Sequence, residues 1–270
     1  MEKQTILEQL RQLLKKHNNA DSYNLGLVLS GGAARGYAHL GVLKALEENE
    51  LKPDIISGVS AGAIAAAFYA KGFSPEETVE LFQSINLKDI LNIRPSKKGL
   101  LKTDGLKKLL QNHLGKTKIE DLELPVVIAA TNLNEGKTHY FKHGNLVDAV
   151  LASCSIPVVF NAVKMESNLF IDGGVTNNFP LEPLEGKCKK IIGVHVNPTG
   201  KFNMNKGMLH LAVYAFHLSI ASGIEEKKKQ LEYFIEPHKL KDFSYMDIDK
   251  GREMFDIGYK EAIQLLSAQE

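Results

Sequence analysis

The fold of this chain is decided by residues 25–49, which read LGLVLSGGAARGYAHLGVLKALEEN. The opening apolar run, Leu25–Leu29, predicts a buried β-strand. A glycine-rich loop follows at once, and the apolar residues after it recur at helical spacing, which predicts a helix over Tyr37–Asn49. A strand that passes through a glycine turn into a helix is the repeating unit of α/β proteins.

The same alternation continues along the chain. Further short apolar runs predict strands at Asp54–Val59, Val126–Ala130, Leu169–Ile171 and Ile191–Val196. Helical spacing predicts helices at Ala61–Lys71, Pro75–Ser84, Asp104–Leu114, Leu146–Ala152, Met208–Gln230 and Arg252–Ser267. We therefore expect an α/β fold with a mostly parallel central sheet covered by helices on both faces.

Composition bounds the class of protein. The 270 residues carry a formal net charge of +1, which argues against a nucleic-acid binder. We expect an amphipathic helix within residues 1–22 and a single domain over residues 23–270. The two cysteines favour a reducing compartment. Because no leader or membrane-spanning run is apparent, we expect a cytoplasmic protein, with peripheral contact at the inner membrane face left open. The sequence does not determine the oligomeric state.

The motif Gly58-Val59-Ser60-Ala61-Gly62 has the layout of a nucleophile elbow, because a predicted strand precedes it and a helix follows. Glycines at positions 58 and 62 permit a sharp turn that leaves the Ser60 hydroxyl exposed at the helix N-terminus. There the positive end of the helix stabilises a developing anion. The alternative is a serine that only caps a helix.

The loop Gly31–Gly36 forms a nest of backbone amides pointed at an anion. It fits an oxyanion hole or a phosphate cradle, and a tight strand-to-helix turn is the third interpretation. Ala33 keeps its N–H, so an oxyanion hole tolerates it, whereas close approach of a pyrophosphate does so less well. Arg35 either orients the loop through carbonyl groups or is a solvated charge.

Asp172 comes at the end of a predicted strand and is followed by Gly173 and Gly174, so its carboxylate is placed to act as a base. A turn without chemistry is the alternative. Four histidines follow it in the order that a Ser-His-Asp hydrolase requires: His195, His210, His217 and His238. None lies in a loop that would present it freely. A Ser-Asp dyad, in which the carboxylate takes the serine proton directly, is the better hypothesis.

With these residues the sequence resembles the patatin-like phospholipase family, in particular its small bacterial members, over residues 24–198. The matching stretches are Leu29–Leu43, Gly58–Gly62, Ala152–Pro157 and Asp172–Pro180. The resemblance implies a patatin-like three-layer sandwich and a serine lipid acyl hydrolase without metal or cofactor. It implies Ser60 as the nucleophile and Asp172 as the base. The residues of the implied oxyanion hole are Gly31, Gly32, Ala33, Arg35 and Gly36, and those that support the turns are Gly58, Gly62, Gly173 and Gly174.

The predicted reaction is the cleavage of a carboxylic ester of a lipid through an acyl-enzyme on Ser60. The alternatives are acyl transfer or thioester cleavage by the same dyad, and a nucleotide-binding module built on Gly31–Gly36. Two loops, at residues 91–102 and 199–207, are candidates for contact with lipid. The head group, the acyl length and the ester position are not encoded in any motif that we find.

Overall fold

The centre of the protein is a β-sheet. The computed structural model describes residues 23–84, 104–157, 159–198 and 223–268, with the isolated positions 208, 211, 214 and 215. In these residues the strands are β1 Tyr23–Leu29, β2 Ile55–Val59, β3 Val126–Asn132, β4 Lys137–Phe141, β5 Val163–Met165, β6 Asn168–Asp172, β7 Cys188–Val194 and β8 Tyr233–Ile235. Strands β3, β2, β1, β7 and β8 pair side by side in parallel.

Helices follow most of these strands. They are α1 Tyr37–Glu48, α2 Ala61–Ala70, α3 Pro75–Ser84, α4 Asp104–Leu114, α5 Leu146–Ser153, α6 Ile224–Lys228 and α7 Gly251–Ser267. Two single 3-10 turns, Ala33–Gly36 and Gly173–Val175, follow the ends of β1 and β6.

The strand side chains alternate between two cores, as a sheet buried on both faces requires. Leu27 and Leu29 belong to the larger core, which they share with α1, α2 and α5. Val28 belongs to the smaller core with Phe179 and Leu184, where α6 also packs through Ile224. The predicted mostly parallel sheet with helices around it is confirmed.

Two strands meet end to end on one edge of β3. Strand β2 pairs with residues 126–129 of β3 in parallel, and β6 pairs with residues 130–132 in antiparallel orientation. The opposite edge of β3 is occupied by β4. Val59 thus lies opposite Ala129, and Asp172 lies opposite Ala130. This register brings the carboxyl ends of β2 and β6 together.

Some predicted elements differ from the structure. Strands β5 and β8 were not predicted, because runs of three residues carry too little periodicity to identify, and β4 was not predicted, because it begins with three polar residues. The continuous helix predicted over Met208–Gln230 is wrong at Gly223, which adopts φ +91° and lies outside the helix that begins at Ile224. The described end of that segment is the short helix α6. The predicted N-terminal helix and both candidate lipid loops lie outside the described residues. None of the described helices is long and apolar enough to cross a bilayer.

Candidate active site

Ser60 lies at the sharp turn between β2 and α2. Its backbone has φ +52° and ψ −120°, a conformation that costs a non-glycine residue about 1–3 kcal/mol and persists only where the surroundings enforce it. Its N–H donates to Ser153 Oγ at 2.8 Å, and that hydroxyl donates to Ala129 O at 2.7 Å. Ser153 therefore ties the strained turn to β3.

Asp172 accepts a hydrogen bond from Ser60, with 2.7 Å between Ser60 Oγ and Asp172 Oδ2. Its other carboxylate oxygen accepts from the Gly174 N–H at 2.8 Å. Thr131 Oγ1 donates to the Asp172 carbonyl at 2.9 Å. Both carboxylate oxygens are thus held, and one of them lies in line to receive the serine proton.

Burial sets the proton affinity of this carboxyl group. Asp172 is 1% exposed, and burial raises its pKa from 3.8 to about 7, although the hydrogen bonds from Ser60 and Gly174 act in the opposite direction. A carboxylate with a pKa near neutrality is a stronger base than an ordinary aspartate. The site can accept a proton at physiological pH.

The amides of the loop after β1 differ in whether they have an acceptor within the described part of the chain. The Gly31 N–H donates to Asn178 O at 3.2 Å, and the Ala34 N–H donates to Tyr245 O at 3.2 Å. Among the described residues, no oxygen accepts from the N–H of Gly32 or of Ala33. Of the five residues predicted for an oxyanion hole, Gly32 and Ala33 are the two whose backbone N–H lacks an acceptor in the described ranges.

Arg35 is turned towards the C-terminal part of the chain. Its Nε and Nη2 donate to Phe243 O at 3.1 and 2.8 Å, and its guanidinium stacks on the Tyr245 ring at 4.2 Å from the centroid. Its N–H donates to Gly32 O at 3.1 Å and closes the 3-10 turn. Arg35 is buried, so the interpretation as a solvated charge is wrong; its side chain donates to a carbonyl outside the loop and ties the loop to Phe243 and Tyr245.

The glycines of the motifs permit close backbone approach. A Cβ on Gly58 would overlap the carbonyl of Gly62, and one on Gly62 would overlap the carbonyl of Leu29. A Cβ on Gly36 would collide with Ala61, and one on Gly173 with the carbonyl of Ala129. The Gly31–Gly36 loop, the Gly58–Gly62 turn and the turn after Asp172 therefore pack within contact distance of one another.

Ser60 lies at the wall of a cavity of about 190 Å³. Ser60 is 6% exposed. The expectation that its hydroxyl is exposed at the protein surface is therefore wrong, because the side chain faces the interior of the protein. The cavity is almost wholly apolar and passes between α1, α2, α3 and α4. Its lining includes Leu40, Ile64, Ala65, Phe82, Leu106 and Phe160. An unbranched hydrocarbon chain is the kind of ligand that such a lining suits.

Among the described residues, no histidine hydrogen-bonds to Ser60 or to the Asp172 carboxylate. His195 is buried in the sheet region, where its Nδ1 lies 2.7 Å from Glu236 Oε1. His238 lies on the surface, and His210 and His217 are outside the described residues. A phosphate cradle at Gly31–Gly36 is disfavoured, because three of its donors, the amides of Gly31 and Ala34 and the Arg35 guanidinium, already have protein acceptors.

Three residues without a role predicted from the sequence hold the site through hydrogen bonds: Ser153, Asn178 and Asn197. Asn178 and Ser153 lie inside the quoted motifs, so their position was a signal that could have been followed. Asn197 lies three residues after the end of β7, and the carboxyl ends of parallel strands are where such residues collect.

Comparison with known proteins identifies the family. The family model described as Patatin-like phospholipase matches residues 27–185. An uncharacterized NTE family protein of Mycobacterium tuberculosis is 32% identical over 170 residues, which cover 62% of this chain and 47% of that protein. The protein named Lysophospholipase NTE1 of Eremothecium gossypii is 25% identical over 272 residues, which cover 87% of this chain and 18% of that protein.

Among solved structures, VipD from Legionella pneumophila shares the fold with a TM-score of 0.54 at 16% identity, over 92% of this chain and 67% of that one. This chain spans less than half the length of the curated relatives described above. The family model nevertheless matches more than half of this chain, from β1 to beyond the Asp172 turn. The chain belongs to the patatin-like phospholipase family.

Proposed function

We propose that this protein is a lipid acyl hydrolase that cleaves carboxylic esters through an acyl-enzyme on Ser60. The observation that carries the proposal is the 2.7 Å hydrogen bond from Ser60 Oγ to the buried Asp172 carboxylate, at the wall of an apolar cavity. Membership of a phospholipase family and a relative named as a lysophospholipase support the same class of substrate.

In the acylation step, Asp172 Oδ2 takes the proton from Ser60 Oγ while that oxygen bonds to the ester carbonyl carbon. The negative charge that develops on the carbonyl oxygen is received by the N–H groups of Gly32 and Ala33. The bond to the leaving alcohol then breaks, and the alcohol departs with the proton held by Asp172. Ser60 is left as an ester of the fatty acid.

In the deacylation step, the oxygen of a water molecule attacks the acyl carbon while Asp172 takes a proton from that water. Ser60 Oγ leaves and recovers that proton, and the free fatty acid is released. The apolar cavity holds the acyl chain in both steps, while the polar part of the lipid remains towards solvent. A lysophospholipid, which has a single acyl chain, is the first natural substrate to test.

The test is covalent labelling with a fluorophosphonate probe, alongside turnover of p-nitrophenyl esters of different chain length and of lysophospholipid micelles. We expect the wild-type protein to be labelled and active, and Ser60→Ala to show neither labelling nor turnover. Ser155→Ala is the matched control, because the buried Ser155 hydroxyl donates to Leu151 O and, among the described residues, bonds to no other group. A folded wild-type protein that is neither labelled nor active on any ester refutes the proposal.

A further inference from the structure

The carboxyl end of β7 holds the loop that carries the candidate oxyanion donors. Asn197 Nδ2 donates to Gly31 O at 2.6 Å. One residue earlier, the Val196 N–H donates to Ser30 Oγ at 3.1 Å. Both contacts join chain segments that are 166 residues apart, and Asn197 lies beyond the part of the chain that matches the family model.

Two successive peptide groups of this loop are held in different ways. In the Ser30–Gly31 peptide, the carbonyl oxygen lies 2.8 Å from His39 Nε2 and the N–H donates to Asn178 O at 3.2 Å. In the Gly31–Gly32 peptide, the carbonyl accepts from Asn197, and the N–H has no acceptor among the described residues. The first peptide is held at both ends, whereas the second is held only at its carbonyl.

A trans peptide is planar, with its C=O and N–H pointing in opposite directions, and the described chain contains no cis peptide. The carbonyl of Gly31 points to Asn197, so the N–H of Gly32 must point the other way. The surroundings show which way that is. A Cβ on Gly32 would meet Val196 and Asn197, while a Cβ on Gly31 would meet Asn178 and Ser60. The loop therefore lies between Ser60 and the residues that follow β7, and the Gly32 N–H is directed to the Ser60 side.

The amide of the Asn197 side chain uses one of its two polar atoms in a hydrogen bond to the described residues. Its Oδ1 is buried and has no hydrogen-bond partner in the part of the chain that the structure describes. A buried unpaired oxygen is costly and calls for a physical explanation. Rotating the amide by half a turn would bring Oδ1 against Gly31 O, so that two acceptors would face each other. The bond to Gly31 is thus the single polar contact of this side chain within the described residues.

From these contacts we propose that Asn197 is a positioning residue for ester hydrolysis, which acts through the Gly31–Gly32 peptide to aim the Gly32 N–H at the oxyanion. The inference rests on the proposed function of Ser60. Asn197 does not touch the reacting atoms. Without its donor, the glycine-flanked peptide is free to rotate, because glycines restrict their neighbouring dihedral angles least.

The test uses Asn197→Ala and Asn197→Asp. The second variant keeps the shape of the side chain but cannot donate to a carbonyl. Asn49→Ala is the matched control, because Asn49 Nδ2 also donates to a backbone carbonyl, that of Ala45 at 2.8 Å, and lies at the end of α1 that is far from the Gly31–Gly36 loop. For each protein, kcat and KM are measured on a soluble p-nitrophenyl ester. The inhibition constant of a trifluoromethyl ketone, which forms a tetrahedral adduct with a serine, is measured as well.

We expect both Asn197 variants to lose about 10- to 100-fold in kcat with KM within about twofold of wild type, since an oxyanion donor acts mainly on the transition state. Affinity for the ketone should fall by a similar factor. Asn49→Ala should stay within about twofold of wild type in every measurement.

Three results would overturn the inference. In the first, Asn197→Ala or Asn197→Asp retains both kcat and ketone affinity. In the second, both variants lose the near-ultraviolet circular dichroism of the folded protein, which would assign Asn197 to stability. In the third, KM rises while kcat and ketone affinity stay unchanged. The failure of the proposed function gives a different result, because the wild-type protein itself would then turn over no ester. That result refutes both the proposed function and this inference.

Discussion

The raised pKa of Asp172 predicts that the site destabilises the folded protein in a pH-dependent way. The perturbation is Asp172→Asn, which removes the charge and preserves the shape of the side chain. In this variant, Oδ1 of the amide can still accept from Gly174, and its NH₂ group can donate to Ser60 Oγ. The substitution therefore removes a buried charge without leaving a polar atom unpaired.

The magnitude follows from the shift in pKa from 3.8 to about 7. Between these pH values the folded state binds more protons than the unfolded state, so the stability of the wild-type protein falls as pH rises through this window. Each pKa unit corresponds to about 1.4 kcal/mol. Relative to Asp172→Asn, the wild-type protein should be less stable by about 2 kcal/mol at pH 5 and by about 4 kcal/mol at pH 8.

The assay is equilibrium urea unfolding of both proteins at pH 5 and pH 8, with the exposed Asp249→Asn as the control, because water solvates that carboxylate. The variant should gain free energy of unfolding at both pH values, with the larger gain at pH 8. The control should change by less than about 0.5 kcal/mol. A gain that is equal at the two pH values, or a loss at pH 8, would refute the argument that burial raises the pKa of Asp172.

Three further predictions follow from the site. Asp172 must be ionised to accept a proton, so kcat/KM on a p-nitrophenyl ester should be level above pH 7 and fall about tenfold per pH unit below it. An inflection near pH 4 would contradict this prediction. Ala33 has φ +47°, so the free energy of unfolding of Ala33→Gly should be between that of the wild type and about 1 kcal/mol above it. The control Ala34→Gly should lose about 0.5–1 kcal/mol. Equal losses for the two variants in thermal unfolding would refute backbone strain at Ala33. Ser153→Ala removes the acceptor of the Ser60 N–H, so it should lower the free energy of unfolding by about 1–3 kcal/mol and reduce kcat. The control Ser155→Ala should retain kcat. An unchanged kcat in Ser153→Ala would show that the turn at Ser60 keeps its conformation without this bond.

Much of the architecture could be predicted because it depends on local signals. The runs that became β1, β2, β3 and β7 are apolar and bounded by turn residues, and α1 and α2 follow glycine turns directly. The family resemblance stated from the motifs is confirmed by the family model. Strands β4 and β5 were missed because their pairing with β3 and β6, rather than their own sequence, makes them strands. The residue roles at the site stay predictions until the variants are measured.

The antiparallel orientation of β6 shows where sequence reasoning stops. Its apolar residues predicted a strand ending at Asp172, and this strand is present. No local feature indicates that it continues the edge of β3 where β2 ends. That choice of partner brings Asp172 within hydrogen-bond distance of Ser60, although the two residues are 112 positions apart.

The sequence by itself determined the order of strands and helices, the sharp turn at Ser60 and the carboxylate at the end of a strand, since each depends on residues within a few positions of one another. Only the tertiary structure decided which amides of the Gly31–Gly36 loop remain open, because their acceptors come from Asn178 and Tyr245. It also decided the pKa of Asp172 and the apolar cavity beside Ser60. Both depend on burial, and burial is created only when distant segments pack together.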